Sequence, residues 1–226
     1  MAAIKRQKKR DFCCLICHGF GDGAQAELLA YHLRGSGIDT YASSPAGNQE
    51  IRAYRQYWIH CCRMQYLLLR KQYERIVVVG LESGAFYLMH MADLKPAGMV
   101  FLNAPIGCLS SLPRRIQLFW SDIRPAMKGV FQPVEAFYHF HCFLNETQEI
   151  GVKQLTCPVL VIQTRAEQAA EADANDLYAH LTMQDRTIRC YPHSGESLIG
   201  SRAALAVCSD VFQFCARIRA GELKLS

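Results

Sequence analysis

The sequence predicts an α/β protein with a mostly parallel twisted sheet flanked by helices. Short apolar runs alternate with longer helix-like stretches along the 226 residues, a rhythm typical of parallel sheets with crossover helices. Half of the residues are hydrophobic, which is enough for one well-buried domain of this length. No apolar run approaches the roughly 20 residues that a membrane-spanning helix needs, so we expect no membrane span.

The elements follow in order from the hydrophobic periodicity. Short β-branched and apolar runs between turn residues predict strands, at 12–17, 40–42, 76–79, 98–102, 159–162 and 187–191. Apolar residues that recur every three or four positions predict helices, at 25–33, 51–73, 85–91, 172–181 and 203–218. We therefore expect a single domain over residues 12–226.

The stretch from about 109 to 155 interrupts this alternation. It contains prolines at 113, 125 and 133 and is rich in aromatic residues, which predicts a helical insertion. Its aromatic side chains either pack against the sheet as core or line a cavity for an apolar or amphiphilic ligand. The seven are Phe119, Trp120, Phe131, Phe137, Tyr138, Phe140 and Phe143.

Five positive charges lie at the N-terminus, between Lys5 and Arg10, and the net charge of the whole chain is +5. The remainder is therefore close to neutral. Such a run is typical of a nucleic-acid patch, a signal peptide or a solvated tail. The apolar stretch after it is short and ends at His18, so we predict a solvated basic tail over residues 1–11 and no nucleic-acid partner.

The chain has eleven cysteines, an odd number, and several fall inside apolar strand or helix patterns. Free cysteine behaves as a small buried hydrophobe, and disulfides do not persist in the cytosol. We therefore expect a reduced, cytoplasmic protein. The run Cys14-Leu15-Ile16-Cys17-His18 matches the haem-attachment pattern C-x-x-C-H. Its place in a buried strand favours two core cysteines over haem or zinc.

A five-residue motif separates the strand at 76–79 from the helix at 85–91: Gly80-Leu81-Glu82-Ser83-Gly84. The strand–turn–helix context and the two glycines match G-x-S-x-G, in which a nucleophilic serine occupies a tight, strained turn. The central position here holds Glu82. The pattern predicts the bend without its usual nucleophile.

Together with this motif, four others in matching order resemble the α/β-hydrolase superfamily. The likeness is strongest to small bacterial carboxylesterases and monoacylglycerol lipases with a short helical cap. The resemblance implies that fold over residues 12–218, with 109–155 as the cap. The four other motifs are His18-Gly19-Phe20-Gly21, Asn103-Ala104-Pro105, Pro158-Val159-Leu160-Val161-Ile162-Gln163-Thr164-Arg165 and Tyr191-Pro192-His193-Ser194-Gly195.

The resemblance also implies where a catalytic triad would lie, in the order Ser, acid, His. Carried over motif by motif, these positions hold Glu82, Glu167 and Glu196, so only the acid is retained. The oxyanion hole is implied at the backbone N–H groups of Phe20 and Ser83. A Glu82 carboxylate could fold back and occupy that hole itself. Without a hydroxyl or thiol at position 82 there is no ordinary acyl-enzyme, and position 196 supplies no imidazole to transfer the proton.

Neighbouring groups offer only weak replacements for the missing triad members. Ser83 lies one residue after the nucleophile position of the motif. A nucleophile at Ser83 would need a small residue two positions before it, and that position holds Leu81. His193 lies three residues before the histidine position, and His18 belongs to the oxyanion loop. We interpret both histidines as structural or loop-facing.

If the fold holds, three carboxylates converge: Glu82, Glu167 and Glu196. Such a cluster shares a proton or attracts a cation, which could be Arg165, a divalent Mg²⁺, Ca²⁺ or Mn²⁺, or an amine ligand. The open alternative is that Glu196 turns to solvent and nothing binds. We expect no obligatory cofactor.

For the chain as a whole, the sequence favours a pseudo-hydrolase that binds a ligand or a partner. The alternative is a hydrolase that acts on esters or related small apolar substrates by a non-standard carboxylate or metal-assisted mechanism.

Overall fold

The central element of the protein is a six-stranded sheet. The computed structural model describes residues 8–19, 23–43, 55–124, 133–165, 168–192, 199 and 203–223. Within these ranges all strand pairs are parallel and the strand order is β2-β1-β3-β4-β5-β6. The strands are β1 (Arg10–His18), β2 (Thr40–Ser43), β3 (Tyr73–Leu81), β4 (Gly98–Leu102), β5 (Val159–Arg165) and β6 (Arg186–Pro192).

Seven α-helices connect and cover these strands in the part of the chain that the structure describes. They are α1 (Gly23–Gly35), α2 (Arg55–Gln72), α3 (Ala85–Met89), α4 (Leu112–Leu118), α5 (Pro133–Ile150), α6 (Gln168–His180) and α7 (Ala204–Ala220). The predicted fold class, a mostly parallel sheet with helices on both faces, is confirmed.

Alternation along the strands builds a separate core on each face of the sheet. In β1, Cys13, Leu15 and Cys17 face the layer that contains α2, α3 and α5, whereas Cys14 and Ile16 face the layer of α1 and α7. Successive side chains of a strand point to opposite faces. A parallel sheet covered on both faces therefore consists of near-continuous apolar runs, which is why its strands could be recognised from sequence.

The boundary between α2 and β3 differs from the prediction at Tyr73. The helical periodicity extends the helix to this residue, but in the structure Tyr73 opens β3 and its side chain is fully buried. Its hydroxyl donates to Asp39 at 2.8 Å and accepts from Arg10 at 2.9 Å. These long-range contacts override the local helical pattern. Arg10, which the sequence analysis assigned to the basic tail, belongs instead to β1, where it pairs with Tyr73.

The predicted helical character of the stretch 109–155, which we call the insertion, agrees with the described residues. α4 continues into a π-helical turn, Phe119–Ile123. α5 packs on the helical layer that α2 and α3 form on one face of the sheet. Phe131 lies outside the described residues, and among the other six aromatic side chains three are almost fully buried, namely Phe119, Phe140 and Phe143. Core packing is therefore the better interpretation for these three, while Trp120 and Tyr138 remain more than half exposed.

No helix in the described ranges has both the length and the apolar character needed to cross a bilayer.

Candidate functional site

The bend between β3 and α3 has the geometry of a strained turn. β3 ends at Leu81, and the next residue, Glu82, has a backbone φ of 51°. For a residue with a side chain this left-handed conformation costs roughly 1–2 kcal/mol. Residues 82–84 form a short 3-10 turn that leads into α3. Strain of this kind persists only where the surrounding structure enforces it.

The two glycines of the motif show how the bend is enforced. A Cβ atom on Gly80 would lie closer than 3.0 Å to the Cα of Ala85, and one on Gly84 would lie as close to the carbonyl oxygen of Cys17. The Gly84 Cβ would also lie 2.7 Å from the Cα of His18. The glycines therefore allow α3 to pack against β3 and the end of β1 to approach the turn.

The side chain of Ser83 is buried behind the bend. It is 4% exposed, and a Cβ on Gly19 would overlap its Oγ atom and lie 3.3 Å from its Cβ. The hydroxyl thus points at Gly19, at the start of the loop after β1. This placement argues against Ser83 as a substitute nucleophile.

His18 lies beside the bend, opposite Leu81 in the sheet register. Its Nδ1 atom is 2.9 Å from the carbonyl oxygen of Gly19, so Nδ1–H donates to that oxygen. Burial lowers the pKa of His18, which favours the neutral imidazole. The interpretation of His18 as a structural residue of the loop agrees with this geometry.

A second left-handed residue ends the neighbouring strand. Asn103, directly after β4, has a φ of 48°, and its Oδ1 accepts from the N–H of Thr164 at 2.8 Å and from its hydroxyl at 3.2 Å. Since Leu81 pairs with Leu102, Glu82 and Asn103 leave adjacent strands at the same edge. Sequence reasoning included Asn103 only as part of a motif. The recurrence of a polar residue right after a buried strand is the signal that could have singled it out.

Of the predicted site residues, the structure describes Glu82 and Ser83. Phe20, Glu167 and Glu196 lie outside the described residues, as does His193. Arg165 closes β5, and its side chain is likewise not described. The convergence of the three carboxylates therefore stays a prediction. In the described part of the chain, no group of three or more His, Cys, Asp or Glu side chains could hold a metal ion.

The C-x-x-C-H pattern does not form a common site. Cys14 and Cys17 lie on opposite faces of β1, next to Cys215 and Cys62 respectively. A spacing of three positions in a strand always separates side chains in this way. Two core cysteines are thus what the structure shows. All eleven cysteines are described and free.

One buried cation escaped the sequence analysis. Arg115 on α4 is 5% exposed, and burial lowers its pKa. All five of its N–H donors find neutral acceptors on the preceding loop and on α5. These are the carbonyl oxygens of Cys108 and Leu109, Asn145 Oδ1, Gln148 Oε1 and His141 Nδ1.

The neighbouring Arg114 forms an ion pair with Asp173 of α6, and this pair lies directly over Gly107. The two arginines therefore fix α4 to α5 and to α6.

A buried histidine joins α3 to α5. The Nε2 atom of His90 lies 2.9 Å from Thr147 Oγ1. Because that hydroxyl donates to the carbonyl oxygen of Phe143, Nε2–H must be the donor. The imidazole is stacked on the Phe143 ring, with ring centroids 5.4 Å apart. Burial lowers the pKa of His90 to about 4, so this histidine is neutral at physiological pH.

A cavity of about 370 Å³ opens at the far end of α3 from the bend, between the insertion and α6. It is lined by Met89, Ile106, Leu109, Ser110, residues 148–153, Asp176, Leu177 and His180. None of the residues of the bend lines it.

Comparison with solved structures identifies the architecture. A structure of the metagenome-derived lipolytic enzymes LipS and LipT matches with a TM-score of 0.72 and 15% identity, covering 92% of this chain and 95% of the other. The monoacylglycerol lipase of Paleococcus ferrophilus matches with a TM-score of 0.67 and 12% identity, over 94% and 96%. Alpha/beta hydrolase domain-containing protein 10 from mouse matches with a TM-score of 0.64 and 12% identity, over 94% and 92%.

By sequence, no family model matches the chain, and no curated protein matches it. The structural likeness establishes the fold: the chain has the α/β-hydrolase fold of esterases and lipases.

Proposed function

We propose that this α/β-hydrolase fold serves as a non-catalytic module that binds a ligand or a partner protein. The observation that carries the proposal is the bend at Glu82. Its backbone strain and its closely packed glycines provide what a nucleophile needs, yet its apex carries a carboxylate. A fold can be retained while its function changes, because function depends on the chemistry of the site and not on the fold.

Two chemical losses support the proposal. A serine-type acyl-enzyme needs a hydroxyl or thiol at the bend, and the hydroxyl of the next residue, Ser83, is buried against Gly19. The step also needs an imidazole to accept and return the proton. The histidine position of the triad holds Glu196. In a serine protease the loss of triad groups costs about 10⁶ in turnover.

The site itself is proposed to consist of Glu82, Glu167 and Glu196, with the backbone N–H groups of Phe20 and Ser83 as the oxyanion hole. A Glu82 carboxylate that accepts from those N–H groups would mimic a bound anion. The oxyanion hole would then be closed to the carbonyl oxygen of an ester. The ligand proposed for such a site is apolar or amphiphilic and lies under the helical insertion.

Rebuilding the triad tests the proposal directly. The double variant Glu82→Ser/Glu196→His restores the nucleophile and histidine positions and keeps Glu167. If the strained bend is intact and only its chemistry is missing, the double variant should hydrolyse p-nitrophenyl butyrate above the wild-type background. The single variants Glu82→Ser and Glu196→His serve as matched controls and should gain far less, since the nucleophile and its base act as a unit.

A folded double variant that gains nothing would contradict the idea that the site has lost only its chemistry. Circular dichroism and the thermal midpoint establish that each variant is folded.

The alternative function is hydrolysis by a carboxylate, and one observation favours it. Glu82 lies at the apex where dehalogenase and epoxide-hydrolase branches of the superfamily use a nucleophilic Asp. Those branches also use a histidine to activate water, whereas Glu196 occupies that position here. Metal-assisted hydrolysis through the carboxylates is the remaining variant of this idea. Turnover that needs Glu82 would establish the alternative.

The compartment proposed for the protein is the cytoplasm. The eleven free cysteines support it, because such thiols remain reduced where glutathione and thioredoxin act. Burial raises the pKa of Cys157 to about 12 and that of Cys208 to about 11, which keeps these two thiols protonated and unreactive.

A further inference from the structure

The cavity at the far end of α3 has the size and lining of a small-molecule site. Its volume of about 370 Å³ lies within the range of roughly 300–1,000 Å³ typical of ligand pockets. Met89 is the only residue of α3 that lines it, seven positions after Glu82, a helical rise of about 10 Å. The cavity is therefore a separate site from the bend.

The floor of the cavity is apolar. Buried side chains from four segments form it: Met89, Ile106, Leu109, Val152 and Leu177, each at most 9% exposed. Apolar lining of this kind favours an alkyl or aryl body and disfavours a ligand that is polar throughout.

The mouth of the cavity carries more negative than positive charge. Glu149 and Asp176 supply two carboxylates, and Lys153 supplies one ammonium. His180 is tied to Asp176, with Nδ1 2.8 Å from its backbone oxygen and 3.3 Å from its Oδ1. With histidine counted as neutral, the mouth has a net charge of −1.

Two helix ends add to this negative potential. α5 ends at Ile150 and α6 ends at His180, and both residues line the cavity. The C-terminus of a helix carries a partial negative charge of about half an electron from its unpaired carbonyl groups, and it favours cations. The carboxylates and both helix ends thus all favour a positively charged ligand.

We propose that this cavity binds an amphiphilic monocation, a primary or quaternary ammonium on a compact alkyl or aryl body. The apolar body occupies the floor, and the cationic head lies at the mouth between Glu149 and Asp176. The proposal is independent of the function proposed for the bend.

Calorimetric titration of the full chain with octyltrimethylammonium tests this, beside octanoate and 1-octanol as probes with the same chain but a different head. We expect saturable one-to-one binding of the cation, at least about fivefold tighter than octanoate. Equal or tighter binding of octanoate would overturn the charge assignment. A lack of saturable binding by the cation would overturn the site.

Variants locate the binding. The exposed rim residue Ser110, changed to Trp, should block the cavity and abolish binding. The double variant Glu149→Gln/Asp176→Asn should weaken it by about two- to tenfold, since exposed ion pairs are individually weak. Glu74→Gln, a change of an exposed acid on β3 that does not line the cavity, is the matched control and should bind as wild type.

Glu82→Ala separates the two sites, because it removes the carboxylate of the bend and none of the side chains that line the cavity. Loss of binding in Glu82→Ala, with binding retained in Ser110→Trp, would place the cation at the bend and overturn the proposal. Binding that persists unchanged in both cavity variants would overturn it as well.

Discussion

The bend at Glu82 and the helical insertion are held in place by opposite means. At the bend, the absence of side chains matters: Gly80 and Gly84 allow backbone to approach backbone closer than any Cβ permits. In the insertion, long side chains reach across the structure, with Arg115 satisfying five acceptors and Arg114 reaching Asp173. The bend therefore tolerates no added atom, whereas the insertion depends on the groups it already has.

Adding a methyl group at the bend should have the largest effect. In Gly84→Ala the new Cβ meets the carbonyl oxygen of Cys17 and the Cα of His18, both of them backbone atoms that cannot turn aside. We expect a loss of about 3 kcal/mol or more in the free energy of unfolding, measured by urea denaturation. Gly35→Ala is the control, because nothing lies within 4 Å of its Cβ, and it should change stability by less than about 1 kcal/mol. Equal effects in the two variants would refute the packing account of the bend.

Removing Arg115 should have the next largest effect. Arg115→Met keeps the length of the side chain but leaves buried acceptors without a donor, so we expect a loss of about 2 to 3 kcal/mol. Arg114→Met breaks a partly exposed ion pair and should cost about 1 kcal/mol or less. The two neighbouring arginines form a matched pair for thermal or chemical denaturation. Equal losses of stability in Arg114→Met and Arg115→Met would contradict the different roles assigned to the two arginines.

The contact of the insertion with α3 should depend on pH. The pKa of His90 is lowered to about 4 in the folded state, against about 6.5 when unfolded. Between these values the unfolded state binds the extra proton, so stability falls as the pH drops from 6.5 towards 4. The loss from this group should be about 2 kcal/mol at pH 5. His90→Phe removes the titration and should flatten the stability profile over that window, and an unchanged profile would rule out His90 as its source.

The smallest difference in stability is expected between two variants at residue 82, which together measure its backbone strain. Glu82→Gly and Glu82→Ala remove the same carboxylate, but only glycine adopts a φ of 51° without cost. The glycine variant should therefore be more stable than the alanine variant by about 1 kcal/mol. In ordinary helices the order is reversed. If alanine is the more stable residue here, the turn is unstrained.

Much of the fold could be predicted from the sequence because its signals are local. The apolar strands at 76–79 and 98–102 lie inside β3 and β4 as observed, and Gly80 and Gly84 identified the bend. Each of these signals depends on neighbours within a few residues.

What escaped prediction depends on partners far away in the chain. Tyr73 continued a helical pattern, and only its contacts with Asp39 and Arg10 explain why it begins a strand. Nothing in Pro113-Arg114-Arg115 indicates which arginine is buried, since the acceptors of Arg115 lie up to 33 positions away. The cavity likewise combines four segments that are separate in sequence.

The central proposal is that this α/β-hydrolase fold carries out no ester hydrolysis. Hydrolysis of short- and medium-chain p-nitrophenyl esters by the purified protein, beside Glu82→Ala, tests it most directly. We predict no turnover above the buffer background in either protein. Wild-type turnover that disappears in Glu82→Ala would contradict the proposal and make Glu82 a catalytic carboxylate.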